Sequence, residues 1–176
     1  MNLNELIDKQ EKLEMQITAD EKELITEGSM IQVVSFVLED VEYGVDILAV
    51  HEILRYPEIT RLPNAPDFIK GVINLRGNVI PVVDVRIRFG FPKAKITELT
   101  RIIVIETNDK LVGLMVDNVH QVVRMAQNSV DPPGELIEGV SEEYIMGIGR
   151  LNDRLIIILN MSNILFIEED KGIGTA

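Results

Sequence analysis

The side chains that most often carry out catalysis are scarce in this sequence and form no recognisable pattern. There is no cysteine, and the two histidines are His51 and His120. Neither histidine has the serine and aspartate partners of a hydrolytic triad or the spacing of a metal site. Asp84 and Asp117 are expected to order turns. We therefore expect no enzymatic activity, no metal and no other cofactor, and a structural role for both histidines.

Arg76 is the residue whose type and setting point most clearly to recognition. It interrupts the largely apolar stretch GVINLRGNVIPVVDV, residues 71–85, and is followed by Gly77. A guanidinium can form paired hydrogen bonds with a carboxylate and lie flat on apolar surface, and arginine is enriched at the energetic centres of protein interfaces. Arg76 is therefore either a contact for a protein partner or a solvated residue at the tip of a hairpin.

Composition and charge argue against several functional classes. The net charge is −12, and no cluster of basic and aromatic residues offsets it, so we expect no nucleic-acid binding. The N-terminus is acidic rather than basic, and no apolar run approaches the roughly 20 residues of a membrane helix. We expect a cytoplasmic protein without direct membrane insertion. The core must be built from Val, Ile and Leu, which favours sheet.

Four stretches have the pattern of β-hairpins, with apolar strands flanking a short polar turn. Gly77 can adopt the positive φ that such a turn needs, and Pro81 predicts an edge strand or a bulge. Helical signals are few: one turn in residues 64–71, a loop with a helical turn in residues 134–144 and a C-terminal helix from about residue 161. The predicted turns are Glu39-Asp40, Arg76-Gly77-Asn78, residues 107–110 and Asn152-Asp153.

The sequence contains an internal repeat. Residues 43–55 align without a gap with residues 112–124, and residues 68–85 align with residues 144–161. The first alignment superposes the two histidines, and the second superposes a glycine, a leucine and an isoleucine. Two matches in the same order indicate one β unit present twice. The Arg76-Gly77 turn aligns with Asn152-Asp153, so the arginine belongs to one copy only.

The repeat predicts a mainly β protein built from two small barrels of about five strands each, because closure removes exposed sheet edges. Such barrels would pack side by side and leave a groove between them. We expect an acidic N-terminal segment, either disordered or partly helical, at residues 1–29. The predicted domain spans residues 30–168, with repeats of about 30–95 and 100–168, and residues 169–176 form a tail.

The stretch LPNAPDFIKGVINLRGNVIPVVDVRIRFG, residues 62–90, resembles the signature of the CheW family of bacterial chemotaxis coupling proteins. EYGVDILAVHEIL, residues 42–54, and SEEYIMGIG, residues 141–149, fit the same family. The resemblance extends from about residue 32 to residue 165. It implies two SH3-like β-barrels in one intertwined unit, which agrees with the repeat.

The resemblance also implies a function, that of a non-enzymatic adaptor. Such a protein would couple the cytoplasmic tip of methyl-accepting chemotaxis receptors to the regulatory domain of the histidine kinase CheA, in arrays at the inner membrane. Carried over by position, the partner-binding residues of this family are Arg76, Glu52, Val50, Gly71, Ile103 and Val122.

Three other functions stay open at this point. A similar coupling protein could serve a different chemosensory pathway, such as one that controls gliding, pili or gene expression. A small enzyme with an unrecognised site would need a cleft with perturbed titratable groups. A nucleic-acid-binding barrel is disfavoured by the net charge.

Overall fold

The computed structural model describes residues 29–133 and 142–164. The predicted N-terminal segment, the loop after residue 133 and the C-terminal tail lie outside these residues, as does the predicted C-terminal helix beyond its first turn at residues 161–164. Besides that turn, the described residues form eleven strands, one complete four-residue helix, α1, and three short 3-10 turns. The elements are β1 (Met30–Leu38), β2 (Val41–Asp46), β3 (Val50–Arg55), β4 (Ile69–Leu75), β5 (Asn78–Asp84), α1 (Val85–Arg88), β6 (Arg101–Thr107), β7 (Lys110–Val116), β8 (Val119–Ala126), β9 (Val130–Asp131), β10 (Ile145–Leu151) and β11 (Arg154–Leu159), with 3-10 turns at Ile47–Ala49, Gln127–Ser129 and Glu142–Tyr144.

The strands form two sheets, and each sheet draws strands from both halves of the chain. The first sheet has the order β8-β1-β2-β11-β10-β9, and the second has the order β3-β6-β7-β5-β4. The β1–β2 hairpin thus joins late strands, and the β6–β7 hairpin joins early ones. The predicted mainly β, two-unit architecture is confirmed, and the two units are intertwined through these exchanged hairpins.

Equivalent pairings in the two sheets reproduce the internal repeat. β2 pairs in parallel with β11, and β5 pairs in parallel with β7. The antiparallel register shifts by one residue at His51, between β3 and β6, and again at His120, between β8 and β1. Both histidines therefore lie at β-bulges, which supplies the structural role expected for them.

Among the described residues, the two outermost strands of each sheet do not pair with each other through backbone hydrogen bonds. The expectation of closed barrels was wrong in this respect. The first sheet also has six strands rather than five, because the two-residue strand β9 pairs with the edge of β10. Its counterpart in the second sheet is a single bridge between Thr60 and Val72. Side chains, rather than backbone, link the outermost strands, as described below for Arg76.

Apolar side chains fill three layers. The largest cluster lies between the two sheets and includes Phe36, Tyr43 and Leu114. Each sheet has a smaller cluster on its other face, around Val33 in the first sheet and Ile80 in the second. Since both faces of the central strands are buried, they are nearly continuous apolar runs.

Turn residues fix the hairpins where the sequence predicted them. Glu39, Asp40, Asn108 and Asp109 have positive φ, the conformation of two-residue hairpin turns whose twist matches that of the strands. Pro81 lies in β5, which is an inner strand, so an edge strand was the wrong expectation. Pro81 is tolerated because β5 pairs with β7 only from residue 82 onward, leaving Pro81 paired on one side.

Candidate functional site

The tip of the β4–β5 hairpin presents Arg76 to solvent. Arg76 has φ +49° and Gly77 has φ +90°, so both central turn residues are left-handed. The Asn74 side-chain oxygen accepts a hydrogen bond of 2.9 Å from the Gly77 N–H, which fixes the turn. A left-handed arginine carries a backbone strain of about 1 kcal/mol or more, a conformation that asparagine adopts more readily. Side-chain recognition is a physical reason to keep arginine there.

Arg76 forms an ion pair with Glu52, which lies on β3 at the opposite edge of the same sheet. The Arg76 side chain is 66% exposed, whereas the Glu52 side chain is 13% exposed. The His51 Nε2 atom lies 3.9 Å from the Glu52 carboxylate. Glu52 therefore orients the guanidinium, while the Arg76 side chain as a whole is mostly exposed to solvent.

This arrangement is suited to recognition more than to stability. An exposed ion pair contributes about 0–1 kcal/mol to folding. A guanidinium has five N–H donors, so pairing with one carboxylate leaves donors for a second acceptor. Val79, on the same hairpin, is 69% exposed and adds an apolar side chain to the surface of the hairpin. The hairpin offers a partner a fixed cation and an exposed apolar side chain.

The first sheet has a related but different contact at the equivalent place. Gln121 aligns with Glu52 in the repeat, and its side-chain amide lies against Arg154, where an amide turned over by 180° accepts hydrogen bonds from Nη1 and Nη2 through its oxygen. Arg154 also donates to both carboxylate oxygens of Glu42 at 2.7 Å. In each sheet, an arginine of the repeat-related hairpin, β4–β5 or β10–β11, thus contacts a side chain on the edge strand β3 or β8. The exposed Arg76–Glu52 pair distinguishes the second sheet.

Val50, Ile103 and Val122 lie in the central cluster between the sheets. Val50 is 6% exposed, Ile103 is fully buried and Val122 is 1% exposed. Their side chains are thus core residues in this structure, on strands β3, β6 and β8. The structure brings Arg76 and Glu52 together at the surface but does not bring these three residues to it.

Gly71 lies at the start of β4, where the chain of residues 59–60 crosses it closely. A Cβ atom at Gly71 would come within 2.2 Å of the Thr60 carbonyl oxygen and 2.7 Å of Ile59 Cγ2. Its φ of +154° is also a conformation that other residues rarely adopt. Bulk at this position therefore disturbs the backbone of the second sheet.

The described residues hold no group of three or more His, Asp or Glu side chains that could bind a metal ion. Asp84 is buried at the start of α1 and accepts a hydrogen bond of 3.3 Å from the Ile87 N–H. Burial raises the pKa of Asp84. Its role is that of a helix cap, as expected of a residue that orders a turn.

Asp117 pairs with Arg86, a contact that the sequence did not predict. The Arg86 Nε atom lies 2.8 Å and 3.0 Å from the two Asp117 carboxylate oxygens, and Nη1 lies 2.6 Å from Glu39 Oε1. Glu39 belongs to the β1–β2 turn of the first sheet, and Asp117 follows β7 of the second. Arg86 therefore joins the two sheets.

Sequence reasoning selected Arg76 and Glu52 separately but missed their contact, because the two residues are 24 positions apart in the chain and their strands, β3 and β4, are at opposite ends of the strand order. The one available signal was the repeat: position 52 is Glu where its counterpart is Gln121, and position 76 is Arg where its counterpart is Asn152. The first copy therefore carries a negative and a positive residue at positions where the second copy has neutral ones, which is compatible with a contact between Glu52 and Arg76.

No helix among the described residues is long and apolar enough to cross a membrane. The described residues thus form two intertwined sheets with an arginine–glutamate ion pair exposed at a hairpin tip. Comparison with known proteins assigns the fold: residues 32–169 match the model of the CheW-like domain, and this chain belongs to that family.

Individual relatives agree with the assignment. The chain is 39% identical over 134 residues to the chemotaxis protein CheW of Klebsiella aerogenes, covering 76% of this chain and 81% of that protein. It is 36% identical over 136 residues to CheW of Helicobacter pylori, covering 77% and 82%. The crystal structure of the scaffolding protein TtCheW from Thermoanaerobacter tengcongensis superposes with a TM-score of 0.70 at 39% identity, covering 74% of this chain and 84% of that one.

Proposed function

We propose that this protein is a non-enzymatic adaptor that couples the cytoplasmic tip of methyl-accepting chemotaxis receptors to the regulatory domain of the histidine kinase CheA. Membership of the CheW-like family and its similarity to chemotaxis proteins support a scaffold role. The observation that carries the finer proposal is the Arg76–Glu52 pair, an oriented and mostly exposed cation at a hairpin tip. The protein would act in the cytoplasm, in receptor arrays at the inner membrane.

The Arg76 guanidinium is the proposed anchor for a partner carboxylate. Glu52 holds the guanidinium in one orientation, so less side-chain freedom is lost when the partner binds. Val79 supplies an exposed apolar side chain on the same hairpin. An interface of this kind gives modest affinity for a single contact, and repeated contacts within an array raise the effective affinity.

The buried positions Val50, Ile103 and Val122 act indirectly in this proposal. They pack between the sheets and set the distance and angle between the two units. Gly71 permits the close crossing of residues 59–60 over β4. Substitutions at these positions would alter how the two units pack against each other and thereby partner binding.

The same geometry would serve a coupling protein of a non-flagellar chemosensory pathway, since the Arg76–Glu52 site does not depend on which kinase is present. Identifying the kinase and the receptor that bind this protein would distinguish the two alternatives. An enzymatic function has no comparable support among the described residues, which form no metal cluster and no catalytic constellation.

The test is reconstitution with the CheA kinase and receptor-containing membranes from the same organism. Arg76→Ala is expected to lower the amount of kinase that sediments with the membranes and the stimulation of its autophosphorylation. Arg150→Ala is the matched control, because the 59% exposed Arg150 pairs with the exposed Asp131 in the first sheet. Equal losses for both variants, or no binding by the wild type, would refute the proposal.

A further inference from the structure

The side chain of His51 takes no part in the β-bulge at that position, because a bulge is a feature of the backbone. This side chain is 44% exposed, and its Nε2 atom lies 3.9 Å from Oε1 of Glu52. Arg76 pairs with the same oxygen through Nη2. Two exposed side chains that carry nitrogen donors therefore converge on one mostly buried carboxylate.

The His51 and Arg76 nitrogens are close enough to share one ligand. A hydrogen bond spans up to about 3.2 Å, so Nε2 of His51 and Nη2 of Arg76 lie within about 7 Å of each other. A carboxylate has two oxygens, and each of them can accept a hydrogen bond from a different donor. A single partner carboxylate can therefore bridge both side chains.

The charge of the site depends on His51. The charges of Arg76 and Glu52 cancel, so with a neutral His51 the site has no net charge, and Glu52 repels an incoming carboxylate. Histidine is the side chain that ordinarily gains its charge between pH 5 and 8. A protonated His51 would make the site cationic and leave a charge for the partner to neutralise.

The other charged side chains on the elements around His51 do not compensate it. Asp46, at the end of β2, accepts a hydrogen bond of 2.9 Å from the Leu48 N–H. Glu106, on β6, forms no ion pair with His51, whose ion pairs within residues 29–133 and 142–164 are limited to Glu52. The remaining charged residues of β3 and β6, about 13 Å along the strands, are Arg55 and Arg101.

The internal repeat supplies a matched histidine without this charge arrangement. His120 aligns with His51, lies at the equivalent β-bulge and is also exposed. Its neighbour is Gln121 where His51 has Glu52, and the residue equivalent to Arg76 is Asn152. A property that depends on the charges around His51 should therefore be absent at His120.

We propose that His51 is a second cationic contact of the partner site, where a partner Asp or Glu carboxylate binds between Arg76 and His51 while the imidazole takes up a proton from solvent. The resulting imidazolium donates through both ring nitrogens. This inference rests on the proposed function, because it assigns a further residue to the same site. One additional charge at this distance should change the affinity about fivefold, so binding should strengthen as pH falls from 8 to 6.

An acidic peptide and the full-length protein test this inference without kinase or receptor. The probe is an acetylated and amidated peptide of three glutamates, whose carboxylates stay ionised from pH 6 to pH 8. Its affinity is measured at low ionic strength from the backbone amide signals of Arg76 and Gly77. We expect binding about fivefold tighter at pH 6 than at pH 8. Absence of peptide binding at both pH values would overturn the inference.

Three variants separate His51 from other titrating groups. His51→Gln should abolish the pH dependence, and His120→Gln should keep it. His51→Lys holds a positive charge at both pH values, so it should bind the peptide with nearly equal affinity at pH 6 and pH 8. A pH dependence that persists in both His51 variants, or that His120→Gln removes, would refute the role of His51.

Calorimetry with the CheA regulatory domain and the receptor tip separates this inference from the adaptor proposal. At pH 7, proton uptake makes the heat of binding differ between phosphate and Tris buffers, which have different ionisation enthalpies. Wild type and His120→Gln should show this difference with at least one partner, and His51→Gln should not. Wild-type binding with equal heats would refute the role of His51 alone. Binding to neither partner would refute the adaptor proposal, and the peptide titration would still decide the role of His51.

Discussion

Replacing Gly71 by alanine tests how closely the chain crosses itself at the start of β4. The added Cβ would lie 2.2 Å from the Thr60 carbonyl oxygen and 2.8 Å from its carbonyl carbon, both backbone atoms. Thr60 and Val72 exchange two backbone hydrogen bonds of 2.9 Å and 2.8 Å at this crossing. The crossing must therefore open, and both bonds are at risk.

The expected loss follows from these contacts. Two hydrogen bonds contribute about 1 kcal/mol each, and the positive φ of residue 71 adds about 1–3 kcal/mol of strain for alanine. Gly71→Ala should thus lower the free energy of unfolding by about 3–5 kcal/mol. Gly90→Ala is the matched control, because Gly90 has φ +84° but nothing within 4 Å of its Cβ position, so about 1–2 kcal/mol is expected.

Urea denaturation followed by circular dichroism measures both variants. The midpoint should fall much further for Gly71→Ala than for Gly90→Ala, with similar slopes. Gly147→Ala should lie between them: its Cβ would come within 2.6 Å of the movable Val130 Cγ1 atom and 2.9 Å of one backbone atom, the Asp131 carbonyl oxygen, but Gly147 does not have the positive φ of Gly71. Equal losses at Gly71 and Gly90 would show that the close crossing is not the cause.

Three further predictions concern charged groups. Arg86→Met should lower the free energy of unfolding by about 2–4 kcal/mol, because the Asp117 and Glu39 carboxylates lose the cation that joins the two sheets. A loss below about 1 kcal/mol in urea denaturation would contradict this prediction. Glu52→Gln should change the same free energy by less than about 1 kcal/mol, and a larger loss would mean that the pair with Arg76 mainly serves stability. Burial raises the pKa of Asp84 above its ordinary value of 3.8, so the native state holds this proton more tightly than the unfolded chain. The contribution of Asp84 to the free energy of unfolding should therefore decrease as pH rises from below 3.8 through its folded-state pKa. Over that interval, the free energy of unfolding of the wild type should fall relative to that of Asp84→Asn. A constant difference between the two proteins would refute this prediction.

Local features of the fold were predictable from the sequence because they depend on local chemistry. Turn residues such as Asn108 and Asp109 favour left-handed backbone, and the flanking β-branched runs favour strands, so all four hairpins were placed correctly. The repeat similarly indicated two related units. These signals act over a few residues or compare stretches of one chain directly.

Non-local features were not predictable in the same way. Nothing in the β1–β2 or β6–β7 hairpin shows that it pairs with strands of the other repeat, since apolar runs match many partners equally well. The helix α1 has only four residues, and its Asp84 cap was recognised only as a turn former. The pairing of Arg76 with Glu52 depends on which strands lie at the sheet edges, and that is decided by the topology.

A charge-swap titration of the CheA regulatory domain and the receptor tip tests the adaptor account most directly. Wild type, Arg76→Glu, Glu52→Arg and the double swap are each titrated by calorimetry, after circular dichroism has shown that they are folded. If Arg76 contacts a partner carboxylate and Glu52 only orients it, the single change Arg76→Glu should lower affinity for at least one partner by about 10-fold or more, and the double swap should not restore it. Full restoration by the double swap, or unchanged affinity for both partners in Arg76→Glu, would contradict the account.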